Sequence, residues 1–405
     1  MSKPAGRAAL TFIFVSIVLD IVAFGIVIPV LPKLVESFVN NDSATAARWV
    51  GLFGTTWALM QFLCAPILGA LSDRYGRRPV LLISIAGLGL DYIFMALAPT
   101  LGWLFVGRII SGMTASGFAT ASAYIADVTE PENRAAAFGI VGAAWGFGFI
   151  VGPALGGVLG ASDPRLPFWV AGGLALLNAL YGLFILPESL PPERRAGFTW
   201  ARANPIGALQ FLRAHRELLP LAGTSFLYNL GHTVYPSVFV LWAGYVLQWG
   251  AKEVGFALAI VGVANVVVQG GVVRPLVRRL GARKALAIGA TAGTIGFALY
   301  GLTDVAWLFW VAVVVYAPAG VFNPSLMGVM SARVGPSGQG RLQGATSSLM
   351  GIAGMIGPAL FTLVFAWSIS DGAALHLPGL AFLIAAALFA LAGMLGLRAT
   401  RETSY

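Results

Sequence analysis

Apolar residues fill long, uninterrupted stretches of this chain. Residues 9–31, 84–106 and 136–159 each contain at most one formal charge, and each has roughly the 20 residues that cross ~30 Å of hydrocarbon. Backbone amides in lipid must be satisfied within their own segment, and these stretches are too long for barrel strands. The pattern therefore predicts α-helices that span a membrane.

Twelve such spans are predicted, each separated from the next by polar residues. Their boundaries are 9–31, 49–70, 79–98, 103–125, 136–159, 167–186, 220–247, 253–272, 284–302, 307–329, 343–367 and 377–398. The longest polar interruption runs from Pro187 to Pro220. It divides the chain into a six-helix bundle at 1–188, a cytoplasmic linker at 189–219 and a second six-helix bundle at 220–405.

The predicted linker contains one further helix signal. Asn204 and Pro205 precede the apolar residues Ile206, Leu209 and Phe211, a sequence typical of a helix start followed by an amphipathic helix. We expect this helix to lie on the cytoplasmic surface of the membrane.

Composition and charge support an all-α integral membrane protein. The chain is 58% hydrophobic and 10% charged, with a mean hydropathy of +0.84, which is far too little charge to cover a soluble surface. The net charge of +9 could indicate nucleic-acid binding, but 20 of the 25 Lys and Arg residues fall in the even-numbered loops and the two tails. This is the positive-inside pattern.

The charge pattern sets the expected location and partners. We predict a monomer in the cytoplasmic (inner) membrane with both termini in the cytoplasm. The lipid bilayer and a small-molecule substrate are its expected partners, and nucleic acid is not.

Side chains suited to catalysis or metal binding are scarce. The single cysteine, Cys64, excludes an internal disulfide, and two of the three histidines, His215 and His376, lie in or near predicted loops. No H-E-x-x-H sequence is present. We expect no enzyme activity, no metal site and no cofactor, with the proton as coupling ion.

The two halves of the chain repeat each other. Gly76-Arg77-Arg78 has a counterpart at Gly281-Ala282-Arg283, and Gly152-Pro153 has one at Gly357-Pro358, with the same offset of 205 residues in both cases. Parallel six-helix repeats of this kind are typical of transporters whose substrate site lies between the halves.

Three charged residues fall inside predicted spans: Asp20, Asp91 and Arg108. Each costs on the order of 2.5 to 3.5 kcal/mol to place there, so we expect them to face a polar cavity or to pair with one another. In the functional interpretation, Asp20 or Asp91 carries a proton and Arg108 is the nearby cation. In the structural alternative, a permanent Asp–Arg pair holds helices together. The positions 205 residues further on hold the uncharged residues Ser225, Gly296 and Val313, so this set of charges is confined to the first half of the chain.

The segment Gly69 to Pro79, between the second and third spans, resembles the loop signature of the major facilitator superfamily. Its glycines allow helix ends to approach closely, and its charges can form a network that breaks and reforms. The resemblance implies a cytoplasmic gate made of Asp73, Arg74, Arg77, Arg78, Asp127 and Arg134. Topology alone explains the arginines but not Asp73.

Two further spans resemble motifs of the same superfamily. The stretch from Arg108 to Met113 looks like its membrane arginine motif. Gly148, Gly152, Pro153 and Gly156 are similar to the glycine-proline signature of its drug/proton antiporters. Small residues at this spacing also serve ordinary helix packing.

Over essentially the whole chain, the sequence resembles the tetracycline/proton antiporter family. The segments that carry the resemblance are Leu19-Asp20, Pro29 to Pro32, Gln61, Ala65-Pro66, Ser72 to Leu82, Leu90 to Tyr92, Gly107-Arg108 and Gln339 to Gly344. The resemblance implies the major facilitator fold, two pseudo-symmetric six-helix bundles. The chain departs from the family where a histidine and an aspartate are replaced by Asn265 and Gly293, so the family's second-half titratable groups are missing.

Uncharged polar residues at membrane depth are the candidates for substrate binding. These residues are Gln61, Tyr228, Asn229, His232, Asn265, Gln269 and Asn323. With nearby aromatic residues they could line a pocket for an amphipathic, ring-bearing molecule. His232 could also replace the missing proton-linked group, or it could be a hydrogen-bonded packing residue.

The preferred hypothesis is a proton-coupled secondary transporter that exports such a molecule by alternating access. A proton-coupled metabolite or sugar transporter, for uptake or export, is the alternative within the same class. A non-transporting membrane sensor or scaffold is the alternative from another class, and it would not need charges at the membrane midplane.

Overall fold

A computed structural model describes residues 3–115, 117–130, 133–197, 209–335, 338–370, 373 and 376–400. Within those ranges the regular elements are helices. In chain order they are α1 Lys3–Val27, α2 Leu31–Phe38, α3 Ser43–Tyr75, α4 Arg77–Ala96, α5 Leu101–Thr114, α6 Gly117–Val128, α7 Arg134–Ser162, α8 Leu166–Ile185, α9 Gln210–Ala214, α10 Leu219–His232, α11 Val234–Val246, α12 Ala251–Val267, α13 Val273–Leu302, α14 Ala306–Tyr316, α15 Phe322–Ala332, α16 Gln339–Ser368 and α17 Leu380–Ala399.

The helices account for all twelve predicted spans. In the described ranges, 9 helices are long and apolar enough to cross a membrane. One of them, Ala251–Leu302, has 52 residues and holds both the eighth and the ninth spans, because α13 continues through the predicted loop and bends at Gly281, where φ is 79°. The fourth span is formed by α5 with α6, and the seventh by α10 with α11.

Several predicted spans are interrupted within the membrane, which the uniform hydrophobic pattern does not reveal. The first breaks after Val27, next to Pro29, and the seventh changes helix at Thr233. The eighth contains a π-helical segment, Val268–Val272, and the tenth a 3-10 segment, Ala317–Val321. Proline removes a backbone donor, and π-bulges are often found at functional sites.

Contacts group the described chain into two compact units. Unit 1 comprises Met1–Phe38, Thr56–Pro205 and Gly250–Gly262, and unit 2 comprises Val39–Thr55, Ile206–Trp249 and Val263–Tyr405. Each unit therefore contains a segment from the other half of the sequence. The sequence division at 188 and 220 stays a prediction.

The exchanged segments are placed by corresponding glycine-proline sites. In unit 1, Gly255 of α12 lies against the backbone of Gly157 and the carbonyl of Pro153 in α7. In unit 2, Gly54 of α3 lies against Pro358 of α16. Pro153 and Pro358 occupy equivalent positions in the repeat. In each unit, the equivalent proline therefore lies against the helix segment that comes from the other half of the sequence.

Thr55 strengthens the α3–α16 contact inside unit 2. Its hydroxyl donates to the carbonyl of Met355 at 3.0 Å and accepts from the amide of Ala359 at 3.2 Å. The hydroxyl thus stands between two groups that would bond each other in a regular α-helix. It satisfies the α16 backbone beside Pro358.

The described part of the linker is short. Its predicted N-terminal signal, Asn204 to Ile206, lies outside the described residues. Helix α9 follows, and its Phe211 and Leu212 are buried. Arg341 of α16 lies with its guanidinium carbon 5.0 Å from the centre of the Phe211 ring, so this part of the linker packs on unit 2.

Replacing Thr55 by valine is expected to destabilise the protein by about 1–3 kcal/mol, because both backbone groups of α16 lose their partner. The matched control is Thr56→Val at the next position of α3. Thermal unfolding in detergent measures both. Equal unfolding temperatures for the two variants would contradict the bridging role of Thr55.

Candidate functional site

The fifth-span glycines pack against the first helix. Methyl groups added at Gly148, Gly152 and Gly156 would collide with Ile21, with Gly25 and with Ile26 of α1, respectively. Gly25 in turn lies against Gly152 and Pro153. Small residues let two helix backbones approach closely, so this motif fixes the position of the helix that carries Asp20.

Pro153 also affects the other face of α7. A proline frees the carbonyl four residues earlier, which here belongs to Phe149. A methyl group on Gly262 of α12 would lie 3.1 Å from that carbonyl oxygen. The freed carbonyl is therefore covered by a residue without a side chain.

Asp20 is held by an amide rather than by a cation. The side-chain nitrogen of Asn178 donates to Asp20 Oδ1 at 2.9 Å and to the Ser16 carbonyl at 3.0 Å. The Ser16 hydroxyl donates back to Asn178 Oδ1 at 2.8 Å. Since Asn178 and Ser16 are buried, this network fixes the orientation of the Asp20 carboxyl.

Asp91 is the more isolated of the two acids. It is 2% exposed, and neither carboxyl oxygen has a hydrogen-bond partner in the described structure. Gly107 lies beside it, because a methyl group there would stand 3.3 Å from Asp91 Oδ1. A buried carboxyl without a donor is costly when ionised.

Arg108 is near Asp91 but forms no salt bridge with it among the described residues. Its guanidinium carbon lies 5.5 Å from the ring centre of Trp57, a cation–π contact. Its Nε is buried and has no hydrogen-bond partner within the described ranges. Tyr92, which is buried beside these groups, interacts electrostatically with Arg108, Asp91 and Asp20. The three predicted intramembrane charges therefore form one cluster in unit 1, without the direct pair of the structural alternative.

A second cluster surrounds Arg77 at the α3–α4 junction. Its guanidinium bonds Asp73 at 2.6 Å, Asp127 at 3.1 Å and the Ser72 hydroxyl at 2.6 Å. Ser189 also donates to Asp127. Arg77 thus joins the ends of α3, α4 and α6.

Glu188 completes this cluster. Its carboxylate accepts the backbone N–H of Arg77 at 2.9 Å and that of Arg78 at 3.3 Å, at the first turn of α4, where negative charge is favourable. It also fills the space beside Gly76, whose φ is 106°. A side chain at Gly76 would be strained and would collide with Glu188.

The other predicted gate residues differ in their contacts. Arg78 donates to the Leu183 carbonyl at 2.6 Å. Arg74 is exposed and lies over the ring of Tyr75. The side chain of Arg134 lies outside the part of the structure that can be described.

In unit 2, the predicted substrate residues fall into two groups. Tyr228 is buried in an aromatic cluster, stacked on Phe322 with ring centres 4.7 Å apart and 5.1 Å from Phe389. The exposed His232 ring lies 5.9 Å from Tyr228. The side-chain nitrogen of Asn229 donates to the Ser225 carbonyl one turn earlier, so this amide forms its hydrogen bond within its own helix.

The second group lies where two irregular segments meet. Gln269, in the π-helical segment, donates to the Gly320 carbonyl of the 3-10 segment at 3.3 Å. Asn265, one turn earlier, points its oxygen toward the same glycine. Both amides are exposed, whereas Gln61 and Asn323 are half-buried.

Gly293, where the resemblance implies an aspartate, is closed by packing. A side chain at Gly293 would overlap the ring of Phe389. The Phe389 ring, which belongs to the aromatic core of unit 2, therefore occupies the space that an acidic side chain at this position would need.

Sequence reasoning missed Asn178, Glu188 and Trp57 as members of these clusters. Asn178 is the one amide in the predicted sixth span, and a lone polar residue in an apolar span is a usable signal. From the sequence, Glu188 can be interpreted only as a linker charge, because the Arg77 and Arg78 amides that it accepts from are 111 and 110 residues away.

Comparison with known proteins identifies the family to which this architecture belongs. The chain belongs to the Major Facilitator Superfamily, whose sequence profile matches residues 13–358. The tetracycline resistance protein of class C from Escherichia coli is 37% identical over 94% of both chains. The class H protein from Pasteurella multocida is 33% identical over 92% of both.

Solved structures show the same fold. The crystal structure of the human organic anion transporter MFSD10 (TETRAN) aligns with a TM-score of 0.70 at 25% identity, over 97% of this chain and 100% of that one. The nucleoside transporter NupG has a TM-score of 0.77 at 15% identity, over 98% and 99% of the two chains, and shows the fold alone. The predicted fold class of twelve transmembrane helices in two six-helix bundles is confirmed, as is the prediction of a membrane transporter.

Gly152→Ala is expected to cost about 1–3 kcal/mol through overpacking, because its methyl group would stand 2.7 Å from the Gly25 Cα. Gly142→Ala is the matched control on the same helix, since its Cβ position is open, and it should be neutral or slightly stabilising. Thermal unfolding and transport are measured for both. Equal effects would contradict the packing role of the motif.

Gly293→Asp, which introduces the residue that the resemblance implies here, is expected to destabilise the protein by about 1–3 kcal/mol. The double variant Gly293→Asp with Phe389→Ala should lose less stability than the two single changes added together, because it removes the overlap. Asn265→His should be tolerated at its exposed position. A stable Gly293→Asp single variant would show that Phe389 does not close this site.

Proposed function

We propose that this protein exports an amphipathic, ring-bearing small molecule in exchange for protons, by alternating access. The relatives named tetracycline resistance proteins, at 33–37% identity over most of the chain, support this substrate class. Planar drugs of the tetracycline type are therefore the first substrates to test, although Asn265 and Gly293 differ from the family pattern.

The buried carboxyl of Asp91 is the observation that carries the proposal. Proton binding neutralises this group and removes the cost of an unpaired charge. Arg108 follows Gly107, which lies against the Asp91 carboxyl, and no salt bridge in the described structure occupies it. When the proton leaves, Arg108 is therefore available to stabilise the carboxylate. We assign Asp91 as the principal proton carrier and Arg108 as its cation.

Asp20 has a supporting role in the same cluster. Its amide partner, Asn178, can hydrogen-bond the carboxyl in either protonation state without a full charge of its own. Asp20 can therefore exchange a proton while its side chain stays in place.

The Arg77 cluster is proposed as the cytoplasmic gate. Three acids and two hydroxyls converge on the α3–α4 junction. Such charge-assisted contacts can break and reform as helix ends separate. The same assignment places both termini in the cytoplasm and the protein in the inner membrane, as the basic loops indicate.

Unit 2 is proposed to recognise the substrate. Its exposed polar groups are the His232 imidazole, which lies beside the Tyr228 aromatic cluster, and the amides of Asn265 and Gln269, which lie at Gly320 where the two irregular segments meet. Such a surface suits a ring system with hydrogen-bonding edges. Recognition in unit 2 is thus separate from proton exchange in unit 1.

Substrate-dependent proton movement in proteoliposomes tests the proposal. One charge crossing 100 mV is worth ~2.3 kcal/mol, about a 50-fold concentration ratio. Wild-type protein should build such a gradient of a tetracycline, and Asp91→Asn should reduce the ratio toward one, with a partial loss for Asp20→Asn.

The matched control is Asp42→Asn, an exposed acid in the turn before α3. It should transport like wild type. Coupled flux that survives in Asp91→Asn and Asp20→Asn would contradict the carrier assignment, and flux of no planar drug by wild-type protein would contradict the substrate class.

A further inference from the structure

The bend inside α13 carries a dense group of positive charges. Five basic residues surround Gly281 within the short stretch 274–284: Arg274, Arg278, Arg279, Arg283 and Lys284. We call this group the basic elbow. All five side chains are exposed.

No acid neutralises the basic elbow in the described structure. The salt bridges found there involve Lys33 and Arg77, and within the same ranges no side-chain hydrogen bond is formed by the elbow residues. The sequence itself contains no acid between Glu253 and Asp304. The five charges therefore repel one another and face solvent.

The equivalent bend of the first half is built differently. Gly76 and Gly281 are repeat counterparts, and both have a positive φ, of 106° and 79°. At the first bend, the Glu188 carboxylate fills the space beside the glycine and Asp73 pairs with Arg77. At the second bend, the space beside Gly281 is open. The counterpart of Asp73 is Arg278.

Topology alone does not account for this difference. The positive-inside rule favours basic residues on one side of the membrane, and both bends lie on that side in the proposed topology. Yet the acidic residues Asp73 and Glu188 lie at the first bend, whereas no acidic residue lies beside the second bend in the described structure. The same backbone bend accepts a carboxylate in the first half, whereas the space beside the second bend is open.

We propose that the basic elbow binds the phosphate headgroup of anionic phospholipids in the leaflet beside it. The elbow joins the eighth and ninth spans, so it stands at the membrane boundary. Val272 and Leu280, at its edges, are 37% and 40% exposed and can contact acyl chains. Arg and Lys side chains extend from such apolar surfaces to headgroups, and each adds to the attraction toward an anionic surface.

Native mass spectrometry of the purified full-length protein tests the proposal. Phosphatidylglycerol is titrated against phosphatidylcholine, with wild type, the elbow variant R278Q/R279Q/R283Q and the control variant R213Q/R216Q/R398Q. The control removes the same charge from exposed arginines elsewhere. We expect the elbow variant to bind phosphatidylglycerol at least about tenfold more weakly and the control to change less than twofold.

Two results would overturn the proposal. Equal loss in the control variant would show a diffuse surface charge effect. Inorganic phosphate that displaces the lipid at millimolar concentration would show a site for a free anion. Transport activity is not the readout, so failure here leaves the proposed drug export intact.

Discussion

A carboxyl group buried without a hydrogen-bond donor is the constraint on which this structure depends. Gly107 leaves space beside the Asp91 carboxyl, and Arg108 rests on Trp57 and closes no salt bridge in the described structure. A permanent pair would hold the helices together but would keep the acid ionised. The observed separation leaves the group free to bind and release a proton, which is the property that a coupled transporter needs.

Close helix packing supplies the geometry around this group. Glycines of α7 hold α1, and with it Asp20, against the charge cluster. The same glycine-proline sites receive a helix segment from the other half of the sequence in each unit. Unit 1 contains the buried charged groups, whereas unit 2 contains an aromatic core and uncharged amides. The two halves of the repeat therefore share this helix packing but differ in the chemistry of their side chains.

The fold could be predicted well from the sequence because hydrophobic length and charge distribution depend on the bilayer alone. The charged residues of unit 1 could also be predicted, because an acidic residue is easily recognised within an apolar span. The breaks at Thr233, Val268 and Ala317 could not be predicted, because they depend on contacts between helices. The role of Glu188 was hidden for the same reason. Gly293 appeared only as a missing acid, and its cause, the ring of Phe389, needed the structure.

Infrared difference spectroscopy of the purified protein tests the central claim most directly. Addition of a transported drug at neutral pH should change the carboxyl C=O band of wild-type protein, as a proton leaves or enters the buried acid. The account predicts that most of this change disappears in Asp91→Asn and that all of it persists in Asp42→Asn. Identical difference spectra for wild type and Asp91→Asn would show that Asp91 does not exchange a proton during transport.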